Sequence, residues 1–170
     1  MRNVSLTSFT VVAFLALGGA AYAQQQPAAS PPPPPPPYGP SIALEQAKKA
    51  IAAAEEEAKK NNWGMNIAVV GSSGHLVVFA RMDNAQLASV DIAQHKARTA
   101  VTFRRPTKAF QDALAANPAN VYLLTLDGII ASEGGIPIMR DGKVIGAMGC
   151  SGGTGAQDGQ VCKAGVDTIK

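Results

Sequence analysis

The sequence predicts an α+β domain in which helices are laid on an antiparallel sheet. Two hairpin patterns carry this prediction. The runs NIAVVG and HLVVFARM flank the tight turn GSSG, and the runs GIPIMR and KVIGAMGC flank Asp141-Gly142, a dipeptide typical of type I′ turns. Helical patterns precede, separate and follow the hairpins. Because two hairpins cannot form a doubly wound parallel sheet, we expect an α+β or three-layer arrangement.

Residues 1–23 have the layout of a secretory signal. Arg2 is followed by an apolar run from Phe9 to Ala21, and small residues stand at Ala21 and Ala23. A membrane anchor is the alternative, but spanning a bilayer takes about 20 apolar residues. We therefore predict cleavage after Ala23, no membrane span in the mature chain, and a periplasmic or secreted location.

Residues 24–40 form a proline-rich linker with seven consecutive prolines, Pro31 to Pro37. Proline fixes φ and removes the backbone donor, so this tract favours a polyproline helix that rises about 3.1 Å per residue. We expect a stiff spacer; a ligand for a proline-binding partner is the alternative. The folded domain is then predicted to span residues 41–170.

The predicted elements follow in order. The first helix covers residues 41–62, with Ser41 after Pro40 as its N-cap, and the first hairpin comes next. A second long helix covers residues 84–103, and a short third helix covers residues 105–118. Residues 119–134 are ambiguous between a helical turn and a short strand. The second hairpin and a last helix weakened by glycines close the chain.

The second helix has three faces at helical spacing. One narrow stripe of small residues is predicted to press on the sheet: Val90, Ala93, Ala97, Ala100 and Val101. The opposite face is polar. Between them lies a third face that is neither core nor plain surface: Ser89, Ile92, Lys96, Thr99 and Phe103. A lysine in such company fits the wall of a pocket or an interface, and a lysine that snorkels over apolar surface is the alternative.

Composition and motifs exclude several classes of function. The chain carries 15 Lys and Arg against 12 Asp and Glu, too even a balance to indicate a nucleic-acid partner. The glycine-rich stretch from Glu133 to Asp158 lacks the lysine of a phosphate-binding loop and comes too late for a dinucleotide fingerprint. No histidine follows Ser151, which argues against a nucleophile elbow. The amides of Gly152–Gly155 remain a candidate receptor for a carboxylate.

The chain has two histidines, His75 and His95. They cannot form a dedicated zinc site without carboxylates from elsewhere. His75 follows a turn and is predicted to be exposed, and His95 is predicted to be solvated and paired with Asp91 one turn earlier. For either, the functional alternative is an axial ligand to a porphyrin iron.

The two cysteines, Cys150 and Cys162, both lie in the exported part. Cys150 ends a predicted strand, and Cys162 lies in the second turn of the following helix. An oxidising compartment permits a disulfide, and a helix that returns over its own strand can bring the two together. A metal pair is the weaker alternative, because no further histidine or cysteine lies near either one.

Several linked motifs resemble a known family. They are R-M-D after the second strand, A-S-x-x-I-A-x-x-K-A-x-T-A in the second helix, G-G-x-P-I in the second hairpin, and the late S-G-G. Together they resemble the GlcG/HbpS-like haem-binding family, which is also found as the C-terminal domain of one class of cobalamin adenosyltransferases. The resemblance covers essentially the whole predicted domain. It implies a profilin-like domain with a five-stranded antiparallel sheet flanked by helices, homo-oligomers, and haem or a related tetrapyrrole as ligand.

The resemblance gives the candidate residues roles in binding a cofactor. Gly134, Gly135 and Pro137 would let a flat ligand approach the backbone beside the face that carries Lys96. Charged side chains would hold propionates, Phe103 would stack on a ring, and His95 or His75 would bind iron; the charged candidates are Arg81, Arg104 and Arg105. The family usually has small or aliphatic residues at the two cysteine positions, which favours a bridge and speaks against Cys150 as a haem ligand.

Three functions follow from these patterns. The leading hypothesis is an exported protein that binds haem or a similar tetrapyrrole, for uptake, buffering or sensing. The second is an enzyme that degrades haem or acts on a small organic acid, whose carboxylate would be held by Lys96, Arg81 and the Gly152–Gly155 amides. The third is a structural oligomer without a ligand.

Overall fold

The computed structural model describes residues 33–169. The predicted signal sequence and linker residues 24–32 lie outside the described residues. Helices pack on the two faces of an antiparallel sheet, as the sequence predicts. The strands are β1 (Asn66–Gly71), β2 (Leu76–Arg81), β3 (Gly135–Arg140) and β4 (Lys143–Ser151), and they lie side by side in the order β2-β1-β4-β3. All neighbouring strands are antiparallel.

The helices lie on both faces of this sheet. They are α1 (Leu44–Lys60), α2 (Ser89–Phe103), α3 (Lys108–Ala116) and α4 (Gly155–Val166), with a 3-10 helix at Pro118–Thr125. One core joins α1, α4 and one face of the sheet, and a second core joins α2 and the other face. The order of layers is therefore helices, sheet, helix, which confirms the α+β prediction.

Strand β1 shows how the two cores are divided. Successive side chains of a strand point to opposite faces. Ile67 and Val69 belong to the core that contains α1 and α4, whereas Ala68 and Val70 belong to the core that contains α2. All six residues of β1 are buried, which is why its sequence reads as a continuous apolar run.

Three expectations need correction. The sheet has four strands within residues 33–169 rather than the five that the resemblance implies. Ser41 is not the N-cap of α1, which begins only after Ala43, because Ile42 N–H donates to the carbonyl of Ile145 at 2.8 Å and keeps the chain extended there. Helix α2 begins five residues later than predicted, since Asn84 takes a left-handed φ of 61°. The profilin-like assignment stays a prediction.

The turn of the second hairpin has the expected conformation. Asp141 and Gly142 have φ values of 50° and 71°, and a type I′ turn requires positive φ at both central positions. The ambiguous stretch after α3 resolves into the 3-10 helix followed by an irregular segment of turns and bends. We call residues 126–134 the strap.

The end of the proline tract is part of the domain. Val144 N–H donates to the carbonyl of Pro37 at 2.9 Å, and Gly39 N–H donates to the carbonyl of Val144 at 2.8 Å. Tyr38 thereby forms a parallel bridge with Val144, on the side of β4 that faces away from β3. The predicted boundary at residue 41 thus cuts through a packed segment.

Candidate functional site

A buried ion pair joins α2 to α4. Lys96 is 1% exposed and Asp158 is 2% exposed. The Lys96 ammonium donates to Asp158 Oδ2 at 2.7 Å and to the carbonyl of Glu133 at 2.6 Å. Lys96 therefore does not snorkel to solvent, and its charge is neutralised inside the protein, as burial of an ammonium requires.

The second oxygen of Asp158 is also occupied. Asp158 Oδ1 accepts the backbone N–H of Gly153 at 2.9 Å. Burial raises the pKa of the Asp158 carboxyl above its ordinary value, and the hydrogen bonds from Lys96 and from the backbone of Gly153 offset part of that rise. The arrangement is a closed polar cluster, held together by the segments that carry Lys96, Glu133 and Asp158.

This cluster corrects the predicted receptor for a small carboxylate. The amide of Gly153 is taken by Asp158, and the amide of Thr154 donates to Gln157 Oε1 at 2.8 Å in a capping box that starts α4. Lys96, the predicted counter-charge, is taken as well. Two of the predicted amides and the predicted lysine are thus occupied by side chains of the chain itself.

The two glycines of the second hairpin serve packing against α2 and α4. A Cβ at Gly134 would stand 2.7 Å from Asp158 Cβ and 3.0 Å from Lys96 Nζ. A Cβ at Gly135 would overlap the carbonyl oxygen of Lys96 and stand 2.6 Å from Thr107 Cγ2. At both glycines, the space on the side where a side chain would project is therefore occupied by other residues of the same domain.

Cys150 and Cys162 form a disulfide that fastens α4 to the end of β4. Both residues are fully buried. Cys162 lies one helical turn after Asp158, so the two share one face of α4. The Sγ atom of Cys162 is 3.1 Å from the carbonyl oxygen of Gly134. The bridge therefore holds the part of α4 that presents Asp158 to Lys96.

Replacing both Cys150 and Cys162 with alanine is expected to lower the free energy of unfolding by about 3 kcal/mol, because the bridge closes a loop of 12 residues in the unfolded chain. Urea unfolding of the double variant and of the oxidised wild type measures the difference. Wild-type protein treated with a reductant serves as the control and should move toward the variant. Coincident unfolding curves for variant and oxidised wild type would contradict a stabilising bridge.

A first surface cleft, which we call the glycine cleft, opens above the buried ion pair. Its volume is about 400 Å³. Its wall is mostly apolar with a few polar side chains at the rim, and consists of Pro106, Glu133, Gly134, Gly135, Ile136, Ala156, Gly159, Gln160 and Lys163. It contains two of the glycines that were predicted to bind a cofactor, but no imidazole among its described lining residues.

A second surface cleft, which we call the histidine cleft, lies where α2 ends beside the turn between β1 and β2. Its volume is about 350 Å³, and it is lined by Ser73, Gly74, His75, Arg98, Thr102, Phe103, Asp127 and Gly128. This cleft brings together His75 and Phe103, which were predicted as separate candidate site residues. Arg98 also lines it. The Phe103 ring is fixed from behind by an edge contact with Phe110, with ring centroids 5.2 Å apart.

The strap forms one wall of each cleft and is pinned to α2 by side chains. Thr99 Oγ1 donates to the carbonyl of Gly128 at 2.8 Å and accepts the N–H of Ile130 at 3.0 Å. Lys96 holds the carbonyl of Glu133 further along. Two buried polar residues of the third face of α2, Lys96 and Thr99, thus hold the strap.

The remaining predicted site residues are dispersed. His95 is exposed on α2. Arg81 ends β2, about 20 Å from His75 at the usual rise of a strand. Pro137 is buried in β3, opposite Ala147. Arg104 lies against residues 36–39, which we call the N-terminal segment. Its guanidinium carbon is 5.2 Å from the centre of the Tyr38 ring.

Arg105 stacks instead on the ring of Phe110, at 5.6 Å. Residues 33–169 contain no cluster of three or more histidine, cysteine, aspartate or glutamate side chains arranged to hold a metal ion. Over the same residues, no helix has the length and apolar character needed to cross a membrane.

The family model described as "Haem degrading protein HbpS-like" matches residues 42–167. The chain belongs to the HbpS-like family. This confirms the resemblance drawn from the motifs of the second helix and second hairpin. As an HbpS-like domain, the chain is also 44% identical over 93 residues to protein GlcG of Escherichia coli strain K12, a match that covers 55% of this chain and 68% of that protein.

Two solved structures have the same fold as this HbpS-like domain. The crystal structure of HbpS superposes with a TM-score of 0.71 and 32% identity, covering 78% of this chain and 92% of that one. The crystal structure of the PduOC haem complex superposes with a TM-score of 0.70 and 26% identity, covering 76% of this chain and 96% of that one. A haem complex is therefore known for a protein with this fold.

The sequence alone does not reveal the roles of three residues in this HbpS-like domain. Asp158 is separated from Lys96 by 62 positions, and only its place in the first turn of α4 marks it. Arg98 is exposed, as its place on the polar face of α2 predicts, but nothing local shows that it lines the histidine cleft. Tyr38, the aromatic residue that follows the proline run, is the signal that the linker does not end as a free spacer.

Proposed function

We propose that this chain is an exported protein that binds haem or a similar tetrapyrrole, and that the histidine cleft is its site. The observation that carries the proposal is the meeting of His75, Arg98 and Phe103 in one cleft. A tetrapyrrole is flat and apolar with anionic propionates, and its iron takes an imidazole ligand. The three side chains supply a ligand, a cation and an aromatic face.

Each residue has a separate task in this proposal. His75 is exposed at the mouth of the cleft, so its imidazole is free to reach an iron. Arg98 would hold a propionate by a charge-assisted hydrogen bond. Phe103 offers a ring whose position is fixed by Phe110. Haem, when bound, supplies a redox-active iron.

Relatives support the choice of ligand. The family model is named for haem degradation, and a protein of the same fold is a haem complex. The glycine cleft is the alternative site. Its volume is similar to that of the histidine cleft, and its wall would suit an apolar ligand. We favour the histidine cleft because its lining includes an imidazole.

Replacing His75 with alanine is expected to abolish or shift the Soret band that appears when haemin is added to the mature protein, because the iron loses its imidazole ligand. Titration followed by ultraviolet–visible spectroscopy measures the change. His95→Ala is the matched control, since it removes the same side chain from an exposed position on α2. An unchanged band in His75→Ala, or a band lost only in His95→Ala, would refute this assignment.

The same titration separates binding from degradation. Haemin in the presence of protein and a reductant or peroxide should keep its absorbance if the protein is a carrier. Bleaching with a bile-pigment-like product would assign haem degradation, the activity in the family's description. We propose binding because the histidine cleft contains candidate partners for the iron, a propionate and the ring of a tetrapyrrole. The separate receptor predicted for a small organic acid is occupied at the amides of Gly153 and Thr154.

Location and assembly are part of the proposal. The signal-like residues 1–23 and the buried disulfide both favour an oxidising compartment, either the periplasm or the outside of the cell. We also propose homo-oligomers and a profilin-like relationship of the sheet, which the family resemblance implies. Uptake, buffering and sensing of haem are the roles consistent with a carrier.

A further inference from the structure

The N-terminal segment binds the turn of α2 that carries Phe103, and we call this set of contacts the grip. The hydroxyl oxygen of Tyr38 is 3.0 Å from the carbonyl oxygen of Val101 and 2.9 Å from that of Thr102, so its one proton is shared between them. These carbonyls belong to the last turn of α2, where the usual i→i+4 partners are missing, although the Val101 carbonyl also accepts the N–H of Arg104 at 3.3 Å. Tyr38 therefore caps α2 from outside.

Arg104 completes this grip on the other side of Phe103. Its backbone takes a left-handed φ of 53° as the C-cap of α2. Its guanidinium lies over the Tyr38 ring, and Nη1 donates to the carbonyl of Pro36 at 3.3 Å. The residues immediately before and after Phe103 are thus both attached to the N-terminal segment.

The N-terminal segment itself is held rigidly. Pro37 and Gly39 exchange backbone hydrogen bonds with Val144 in β4, and the prolines before Tyr38 have a fixed φ. Little conformational entropy is lost when such a preorganised segment docks. A fixed point on the sheet is therefore connected through Tyr38 to the turn of α2 that contributes Thr102 and Phe103 to the histidine cleft.

From these contacts we infer that Tyr38 is a positioning residue for the histidine cleft, which makes the end of the proline tract part of the ligand-binding apparatus. The inference rests on the proposed function for the identity of the ligand. Tyr38 does not need to touch the ligand. It sets the place of Thr102 and Phe103, on which a flat ligand would rest.

The test is Tyr38→Phe, which removes the hydroxyl and keeps the ring against Arg104. The lost hydrogen bond contributes at most about 1.5 kcal/mol to holding the Phe103 turn in place for the ligand, so the affinity for haemin is expected to weaken by up to about 12-fold. The Soret band of the bound haem should also shift, because the Phe103 turn is no longer fixed. Tyr122→Phe removes the same hydroxyl from an exposed tyrosine and should change neither quantity.

A second measurement does not depend on any ligand. Hydrogen exchange of the amides of Arg104 and Arg105, which donate to Val101 and Ala100 at the end of α2, should be faster in ligand-free Tyr38→Phe than in wild type. Equal exchange would overturn the grip itself. Faster exchange with unchanged haemin affinity and spectrum would overturn the positioning role. A wild type that binds no haemin would overturn the proposed function and the ligand named here, and the exchange rates would still report on the grip.

Discussion

Replacing Lys96 with methionine is expected to lower the free energy of unfolding by about 3–5 kcal/mol, because it leaves the buried Asp158 carboxylate without its counter-charge. The carboxylate is 2% exposed, so water cannot take the place of the ammonium. The carbonyl of Glu133 also loses its donor. Urea or thermal unfolding of the purified variant measures the loss.

A matched control separates burial from charge. Lys48 makes an exposed ion pair with Glu45 at 2.9 Å, and Lys48→Met is expected to cost less than about 1 kcal/mol. In the double variant Lys96→Met with Asp158→Asn, part of the lost stability should return, since no charge is left unpaired and the amide oxygen still accepts from Gly153. Equal losses in Lys96→Met and Lys48→Met would contradict a buried pair.

Gly149→Ala is expected to destabilise the protein by about 3 kcal/mol or more, above the usual range for overpacking, because the obstacle is backbone rather than a flexible side chain. A Cβ at this position of β4 would overlap the carbonyl oxygen of Ala93 and stand 2.5 Å from the backbone nitrogen of Ala97. Helix α2 would have to rise from the sheet. Thermal unfolding measures the change.

Gly155→Ala is the control for Gly149→Ala, because an added Cβ meets less obstruction there. The nearest atoms to an added Cβ there are 3.3 Å away and belong to the side chains of Gln111 and Glu133. Alanine favours a helix interior over glycine by about 1 kcal/mol, and part of this gain applies at Gly155, the first residue of α4. We therefore expect Gly155→Ala to be neutral or stabilising. A similar loss at both positions would show that close packing of α2 is not the cause at Gly149.

Local chemistry explains which parts of the fold were predictable. The Asp141-Gly142 turn and the small-residue stripe of α2 both depend on residues close in sequence. Ala93, Ala97 and Ala100 are fully buried against the sheet, as their spacing predicts. Turn type, period and side-chain size determine these features, and each is readable from the sequence.

The candidate site was less predictable, because it depends on pairings between distant residues. The third face of α2 was recognised as unusual, but nothing local shows that Lys96 meets Asp158 or that Thr99 holds the strap. Ser41 has the side chain of an N-cap, but the hydrogen bond of Ile42 to Ile145 in β4 delays the start of the helix. At this position, the hydrogen bond to a distant strand determines the backbone conformation, and the capping preference of serine does not.

The strap has a consequence for how the domain moves. It is attached to α2 through the side chains of Thr99 and Lys96 rather than through a regular ladder of backbone bonds. A segment without a regular ladder can open locally, without global unfolding, more readily than a paired strand. Because the strap borders the histidine cleft at Gly128 and the glycine cleft at Glu133, one local opening would widen both clefts together, and a ligand in either one would slow that opening.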